Sequence, residues 1–198
     1  MRKNKTVILL IDFLGHPILG DEYVNNKRYS ELLNWLQKEP KQRKDVIFVS
    51  NTLPFPNATA VGGKGSSEKL NEIFEMANNL GFNTLQIYGQ GIDAVHIIDK
   101  IYKVAGWKIS PSDTQIILGG CNLGGCITDQ TNYGAVFWSE LGFKTIIHLP
   151  LCAEYEQPGV SQVEKICNGF SRLYNTIQNK KAFNIKITNN IEDIEDYR

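Results

Sequence analysis

Short apolar runs alternate with longer segments of helical periodicity along most of the chain. The runs are rich in Val, Ile and Leu, as expected for strands that are buried on both faces of a parallel sheet. The segments between them place apolar residues at helical spacing, and several of them end at a glycine or a proline. The pattern predicts strands at Thr6–Ile11, Val46–Ser50, Thr84–Tyr88, Gln115–Leu118 and Thr145–Leu149, with an edge strand at Phe183–Thr188. It predicts helices at Tyr23–Gln37, Ser67–Leu80, Ala94–Ala105, Gly125–Leu141 and Val160–Gln178.

Alternating strands and helices predict an α/β fold of three layers. We expect a five- or six-stranded, mostly parallel sheet with helices on both faces. The chain has 198 residues, a length that suits a single domain. We expect its core to extend from about residue 5 to about residue 178, followed by a C-terminal tail from about residue 179 to residue 198.

Composition narrows the functional classes. The 21 basic residues balance the 21 acidic ones, so no charge excess indicates a nucleic-acid partner. The first apolar run is interrupted by Asp12 and is too short for a membrane span or a signal peptide, so we expect a cytoplasmic protein. The four cysteines lack CxxC spacing and the three histidines are scattered, so we expect reduced thiols, no metal site and no cofactor.

Ligands of parallel α/β sheets bind outside the carboxyl ends of the strands. That rule brings five parts of the chain to one rim, namely Asp12, Asn51, Tyr88–Gln90, the turn after Leu118 and Leu149–Cys152. Asp12 directly follows the first strand. Its carboxylate can serve as a general base, or it can be an ordinary turn or helix-capping residue.

The segment Gln115–Thr128 reads QIILGGCNLGGCIT, which indicates a strand, a glycine-rich turn and a helix that begins near Cys126. A thiol at a helix N-terminus is biased toward the nucleophilic thiolate. The turn N–H groups near Asn122 and Cys126 can stabilise an oxyanion formed by attack of the thiolate on a carbonyl. Cys126 is therefore the candidate nucleophile, with a buried structural cysteine as the alternative. Cys121 is the rival nucleophile or a resolving thiol.

Two segments, VILLIDFL and ILGGCNLGGCITDQTNYGAVFWSELGFKTIIHLPLCAE, resemble the isochorismatase-like cysteine hydrolases, a family that includes nicotinamidases and N-carbamoylsarcosine amidohydrolases. The resemblance places Asp12 on the catalytic aspartate, Cys126 on the nucleophile, Gly120 on the glycine that closes the strand and Thr131 on a helix threonine. It implies hydrolysis of a small molecule at an amide, imide or related bond, in a homo-oligomer such as a dimer or tetramer.

The chain departs from this family at the third catalytic residue, a lysine at the end of the third strand. Tyr88, Gly89 and Gln90 occupy that place here. Lys100, in the next helix, and Lys64, in the GGKGSS loop, are the candidate substitutes. The metal-binding Asp-x-His of some members is also missing, since the second strand is followed by SNTLPFP.

Three functional interpretations remain open on these residues. In the first, the chain is a cysteine hydrolase, with a relocated lysine or with Tyr88 or Gln90 polarising the carbonyl. In the second, it is a degenerate hydrolase fold that binds a small molecule or a partner. In the third, it is a redox protein that uses Cys121 and Cys126. For the hydrolase, the catalytic residues are Asp12, Cys126 and Lys100, and the expected substrate-binding residues are Phe13, Asn51, Tyr88, Gln90, Asn122 and Gly125.

Overall fold

Six parallel strands form the sheet that positions the candidate site, in the order β3-β2-β1-β4-β5-β6. The computed structural model describes residues 5–13, 22–38, 43–52, 63–88, 94–128, 133–154, 160–180 and 184–189. The strands are β1 Lys5–Ile11, β2 Val46–Thr52, β3 Asn83–Tyr88, β4 Thr114–Cys121, β5 Lys144–Ala153 and β6 Ile185–Thr188. The helices are α1 Glu22–Lys38, α2 Gly63–Asn79, α3 Ala94–Ala105, α4 Ala135–Glu140 and α5 Gln162–Lys180.

Alternation of side chains along the strands creates two cores, one on each face of the sheet. On β1, Val7 and Leu9 pack on the face covered by α3, α4 and α5, whereas Ile8 and Leu10 pack on the face covered by α1 and α2. Both cores are built from buried aliphatic and aromatic side chains, which explains the apolar runs in the central strands. The result is the expected three-layer α/β/α arrangement.

The chain order reverses between β1 and β4, which lie next to each other at the centre of the sheet. Strands β2 and β3 extend the sheet on one side of this pair, and β5 and β6 extend it on the other. In open α/β sheets such a reversal opens a crevice at the carboxyl ends of the two strands, and ligands bind there. The residues that follow β1 and β4 are Asp12 and the glycine-cysteine turn.

The α/β class, the parallel sheet and the edge strand are confirmed, and the main errors concern boundaries. The predicted fourth strand ended at Leu118, but β4 continues through Gly119 and Gly120. Strand β4 passes so close to its neighbours there that a Cβ at Gly119 would lie 2.6 Å from the Cβ of Leu151. The glycines that suggested a turn are thus required by packing between strands.

The predicted helix Gly125–Leu141 is wrong at its start, because residues 123–128 form turns and the helix α4 covers only Ala135–Glu140. Helix α2 begins at Gly63, so Lys64 belongs to a helix and not to an irregular loop. None of the helices in the described part of the chain combines the length and the apolar character that a membrane span requires.

Candidate functional site

The two central strands approach each other very closely at their carboxyl ends. Ile11 is in register with Gly120, whose φ is +130°. A Cβ on Gly120 would overlap the Ile11 carbonyl oxygen and would lie 2.6 Å from the carbonyl carbon. Only glycine fits this position, and the close approach fixes the residues that follow, Asp12 and Cys121, side by side.

Asp12 has the features of a functional carboxylate. It is only 5% exposed, and its φ of 44° lies in the left-handed region, where a residue other than glycine is uncommon. Such strain costs on the order of 1 kcal/mol and concentrates at functional sites. The Asp12 charge also acts on the neighbouring Cys121 thiol. Phe13, an expected substrate-binding residue, is buried in the core on the face of the sheet that α1 covers.

The turn that carries Cys126 is held by a complete set of hydrogen bonds. Each amide from Leu123 to Thr128 donates to an acceptor within the protein. The acceptors are, in chain order, the Ala153 carbonyl, the Glu154 carboxylate, the Asn122 carbonyl, the Asn122 side chain, the Asn122 carbonyl again and the Gly125 carbonyl. The Thr128 hydroxyl adds a bond to the Leu123 carbonyl. The turn therefore holds its cysteine rigidly without a continuous helix.

Asn122 occupies a decisive place in this turn. Its side chain is buried, and its Oδ1 accepts the Cys126 amide N–H at 3.2 Å. That amide is one of the groups predicted to hold an oxyanion, so a substrate oxygen must share it with, or displace, the Asn122 side chain. Because the carboxamide oxygen is used as an acceptor, the Asn122 NH2 group is the donor that this side chain offers to a ligand.

The cysteines at this edge differ sharply in their surroundings. Cys121 is 3% exposed, and burial raises the pKa of its thiol, although the nearby Arg28 guanidinium opposes the shift. The Cys152 thiol donates to the His148 carbonyl at 3.3 Å, and burial raises its pKa to about 12. Cys126 is half-buried, and Cys167 is exposed on α5. Cys126 is therefore the more accessible of the two thiols in the turn region, as a nucleophile requires.

These surroundings predict a pattern of thiol reactivity. At about pH 8 a thiol with a raised pKa stays protonated and reacts slowly with iodoacetamide. We expect Cys126 and Cys167 to be alkylated in the native protein, and Cys121 and Cys152 only after denaturation. Peptide mass spectrometry with and without denaturant measures this, and rapid native labelling of Cys121 would refute it.

Glu154 anchors the turn from the side of β5. Its side chain is only 4% exposed, accepts the Gly124 amide and pairs with the Arg172 guanidinium of α5 at 2.8 Å. Two glycines make room for this pair. A Cβ on Gly169 would overlap the Glu154 carboxylate, and one on Gly124 would lie 2.6 Å from Arg172 Nε. The carboxylate thus fixes the segment that precedes Cys126 in the chain.

Arg28 is a buried cation at the same edge. It lies on α1 and is only 3% exposed, with its Nη1 3.5 Å from the Cys121 sulfur. Its guanidinium carbon lies 5.4 Å from the centre of the Phe13 ring. The positive charge acts on the thiols of both Cys121 and Cys152. A guanidinium therefore lies between the ends of β1 and β4.

The other predicted site residues are only partly placed. The backbone of Asn51 lies in β2 in register with Ile11, and Tyr88 ends β3 in register with Thr52. Gly125 lies in the cysteine turn. Lys100 lies on α3, which packs on the sheet face opposite to α1. Gln90 and Thr131 lie outside the described residues.

Within the described ranges, His, Cys, Asp and Glu form no group of three or more that could hold a metal ion.

Sequence reasoning missed Arg28 and Glu154. Arg28 lies in a polar stretch, EYVNNKRYS, where a basic residue usually indicates a solvated helix face. The sequence indicates Glu154 only weakly, because Glu154 follows the fifth strand on the rim side of the sheet. Gly169, a glycine in the middle of a predicted helix, is a weak indication of close packing there. Neither signal identifies the partner, since pairing across 18 residues, from Glu154 to Arg172, depends on the packing of α5.

No protein-family model and no curated protein matches the sequence. The fold is similar to that of the YcaC gene product of Escherichia coli, a solved structure described as an octameric hydrolase of unknown specificity. The two chains are 15% identical, the match covers 95% of this chain and 76% of that one, and the TM-score is 0.51. At this identity the likeness concerns the α/β fold.

Proposed function

We propose that the protein is a cysteine-dependent hydrolase that cleaves an amide, imide or related bond of a small molecule. One observation supports the proposal: β1 and β4 pair at the point where the chain order reverses, and the residues that follow these two strands are the buried Asp12 and the turn that carries the half-buried Cys126. The likeness in fold to a hydrolase of unknown specificity agrees with this class of reaction.

In the proposed reaction Cys126 attacks the substrate carbonyl while Asp12 accepts the thiol proton. The oxyanion is held by the Cys126 amide, which it shares with Asn122 Oδ1, and by the NH2 group of Asn122. The carbon–nitrogen bond then breaks, the proton on Asp12 passes to the leaving nitrogen, and a thioester remains on Cys126. Water next attacks the thioester and gives a proton to Asp12. The acid is released and the thiol is restored, so the cycle needs no redox partner.

A second candidate function is binding without chemistry. The Cys126 amide, which an oxyanion would need, already donates to the Asn122 side chain. Strand β3 ends at Tyr88, and the isochorismatase-like family has its catalytic lysine at the end of that strand. Loss of one member of a catalytic group removes most of the rate and leaves the binding site in place. In this second function the protein binds a small molecule or a partner on a hydrolase fold.

We also propose that the chain acts as a cytoplasmic homo-oligomer, a dimer or a tetramer. The exposed apolar residues Val163, Phe170 and Tyr174 recur on one side of α5 and suit contact with another copy. Light scattering that gives the mass of a single chain at micromolar concentration would contradict this assembly.

A panel of small amides and imides tests the function. We expect at least one compound to be hydrolysed, with release of ammonia or an amine, and the same compound to raise the melting temperature. A compound that raises the melting temperature but is not cleaved would favour the binding protein. Equal hydrolysis by wild-type and Cys126→Ser protein would contradict the proposed nucleophile.

A further inference from the structure

We propose that Arg28 is the counter-charge of the Asp12 carboxylate, so that an aspartate–arginine pair does the work that the family resemblance assigns to aspartate and a lysine of the third strand. The inference rests on the proposed function, because it explains how Asp12 stays ionised as a base. Arg28 is a positioning residue in this scheme, since it acts on the reaction through Asp12.

The first support is the place and burial of the guanidinium. Burying a cation costs several kcal/mol unless an anion and hydrogen bonds compensate it. Two contacts fix the position of the Arg28 guanidinium, one to the Cys121 sulfur and one to the Phe13 ring. Phe13 directly follows Asp12 in the chain. Cys121 directly follows Gly120, which packs against the backbone of Ile11. The contacts therefore bring the guanidinium to the end of β1, where Asp12 lies.

The second support is a balance of charges around the Cys121 thiol. Two carboxylates, Asp12 and Glu154, act on this thiol, and Arg28 acts on it in the opposite sense. Glu154 already has its cation, because Arg172 Nη2 lies 2.8 Å from its Oε2. Arg28 and Asp12 therefore act on the same buried thiol with opposite charges. Two other basic side chains among the described residues are buried: Lys165 lies on α5 on the opposite face of the sheet, and His148 lies 3.5 Å from the Glu31 carboxylate.

The third support is the side of the sheet from which the cation comes. Ile117 of β4 packs toward α1, and Cys121 at the end of the same strand contacts Arg28 of α1 directly. Helix α1 carries Arg28 to this side. Helix α3, which carries Lys100, packs on the other face through Ile97 and Ile101. The guanidinium also suits a buried pair better than an ammonium, because it stays charged and can bind a carboxylate with two parallel hydrogen bonds.

The chemical consequence concerns the protonation of the base. A buried carboxylate without a counter-charge binds a proton more readily and then cannot accept one from the Cys126 thiol. With Arg28 beside it, the carboxylate stays ionised at neutral pH. Removing the guanidinium should therefore move the acidic limb of the pH–rate profile to higher pH, by about 1 to 3 units for a close charge partner.

The test uses p-nitrophenyl acetate as the probe and follows acetyl transfer to Cys126 by peptide mass spectrometry from about pH 5 to about pH 9. The proteins are the wild type, Arg28→Met, Arg28→Lys and the same substitutions in an Asp12→Asn background. Arg43→Met is the matched control, because Arg43 is another largely buried arginine, paired with Asp45 at 2.8 Å near the amino end of β2. Circular dichroism and thermal melting establish that each variant is folded.

We expect Arg28→Met to shift the acidic limb upward, so that its rate falls furthest below the wild-type rate at the acidic end of the range, whereas Arg28→Lys and Arg43→Met keep the limb near the wild-type position. In the Asp12→Asn background, Arg28→Met should have little further effect on the rate. An unshifted limb in folded Arg28→Met, or a full additional loss in the Asp12→Asn background, would overturn the inference.

Two further outcomes keep the conclusions separate. If wild-type Cys126 is not acetylated at all, the proposed function fails before Arg28 is tested. If Arg28→Met does not fold, Arg28→Lys decides: a profile that overlays the wild type supports the role of the charge. A rate in Arg28→Lys as low as that of Asp12→Asn would overturn it.

Discussion

Replacing Cys126 with alanine is expected to lower the hydrolysis of any substrate of this protein by at least about 10³-fold, because the variant has no nucleophile to form the thioester. Catalytic groups that act as a unit lose most of their effect when one member is removed. The fall should appear in kcat, with binding of the substrate little changed, since the turn is held by backbone amides and by Glu154. Steady-state kinetics and a thermal-shift titration measure the two quantities.

Cys121→Ala is the informative comparison for this prediction. The Cys121 thiol is buried, and burial raises its pKa, so it is a poor nucleophile at neutral pH. We expect this variant to keep at least about a tenth of the wild-type activity and Cys167→Ser, which removes an exposed thiol on α5, to keep all of it. Loss of activity in Cys121→Ala together with full activity in Cys126→Ala would reverse the assignment of the two cysteines.

Replacing Gly120 with alanine is expected to prevent folding. The new Cβ would overlap the Ile11 carbonyl oxygen, which is a backbone atom of a central strand. The backbone of Ile11 cannot move away without breaking the pairing of β1 with β4. The φ of +130° adds strain of its own. We expect a loss of more than about 4 kcal/mol, a large part of the 5 to 15 kcal/mol by which typical domains are stable. Soluble yield and chemical unfolding measure the effect.

Gly106→Ala separates the two causes of this loss. Gly106 also has a positive φ, +72°, but a Cβ there would meet nothing within 4 Å. Its substitution should cost only the conformational strain of a residue with a Cβ at positive φ, about 1 to 2 kcal/mol of folding free energy. If Gly120→Ala were no more damaging than Gly106→Ala, the close approach of β1 and β4 described here would be incorrect.

The fold was predictable from the sequence because it depends on patterns that a single sequence shows. Runs such as TVILLI at β1 reveal strands buried on both faces, and a helix ended by Gly106 was placed with its correct bounds at Ala94–Ala105. The position of Asp12 and of the cysteine turn at the carboxyl edge then follows from the rule for parallel sheets. The errors arose where glycine has two meanings, since Gly119 and Gly120 indicated a turn but serve close packing between strands.

The charges around the site were not predictable in this way. Arg28 of α1 contacts Cys121 at the end of β4 across a separation of 93 residues in the chain. The bond from the Cys126 amide to the Asn122 side chain depends on the turn closing without a helix. Both depend on tertiary packing, which residue type and periodicity do not encode.

The central claim is that Asp12 and Cys126 act together, and acetyl transfer from p-nitrophenyl acetate at pH 7 tests it most directly. Rapid-quench peptide mapping gives the rates for Cys126 and for the exposed Cys167 within the same molecule, in wild-type and Asp12→Asn protein. The account predicts that wild-type Cys126 is acetylated well ahead of Cys167, and that Asp12→Asn slows Cys126 by about 10²-fold without affecting Cys167. Acetylation of Cys126 no faster than that of Cys167, or at the same rate in both proteins, would contradict it.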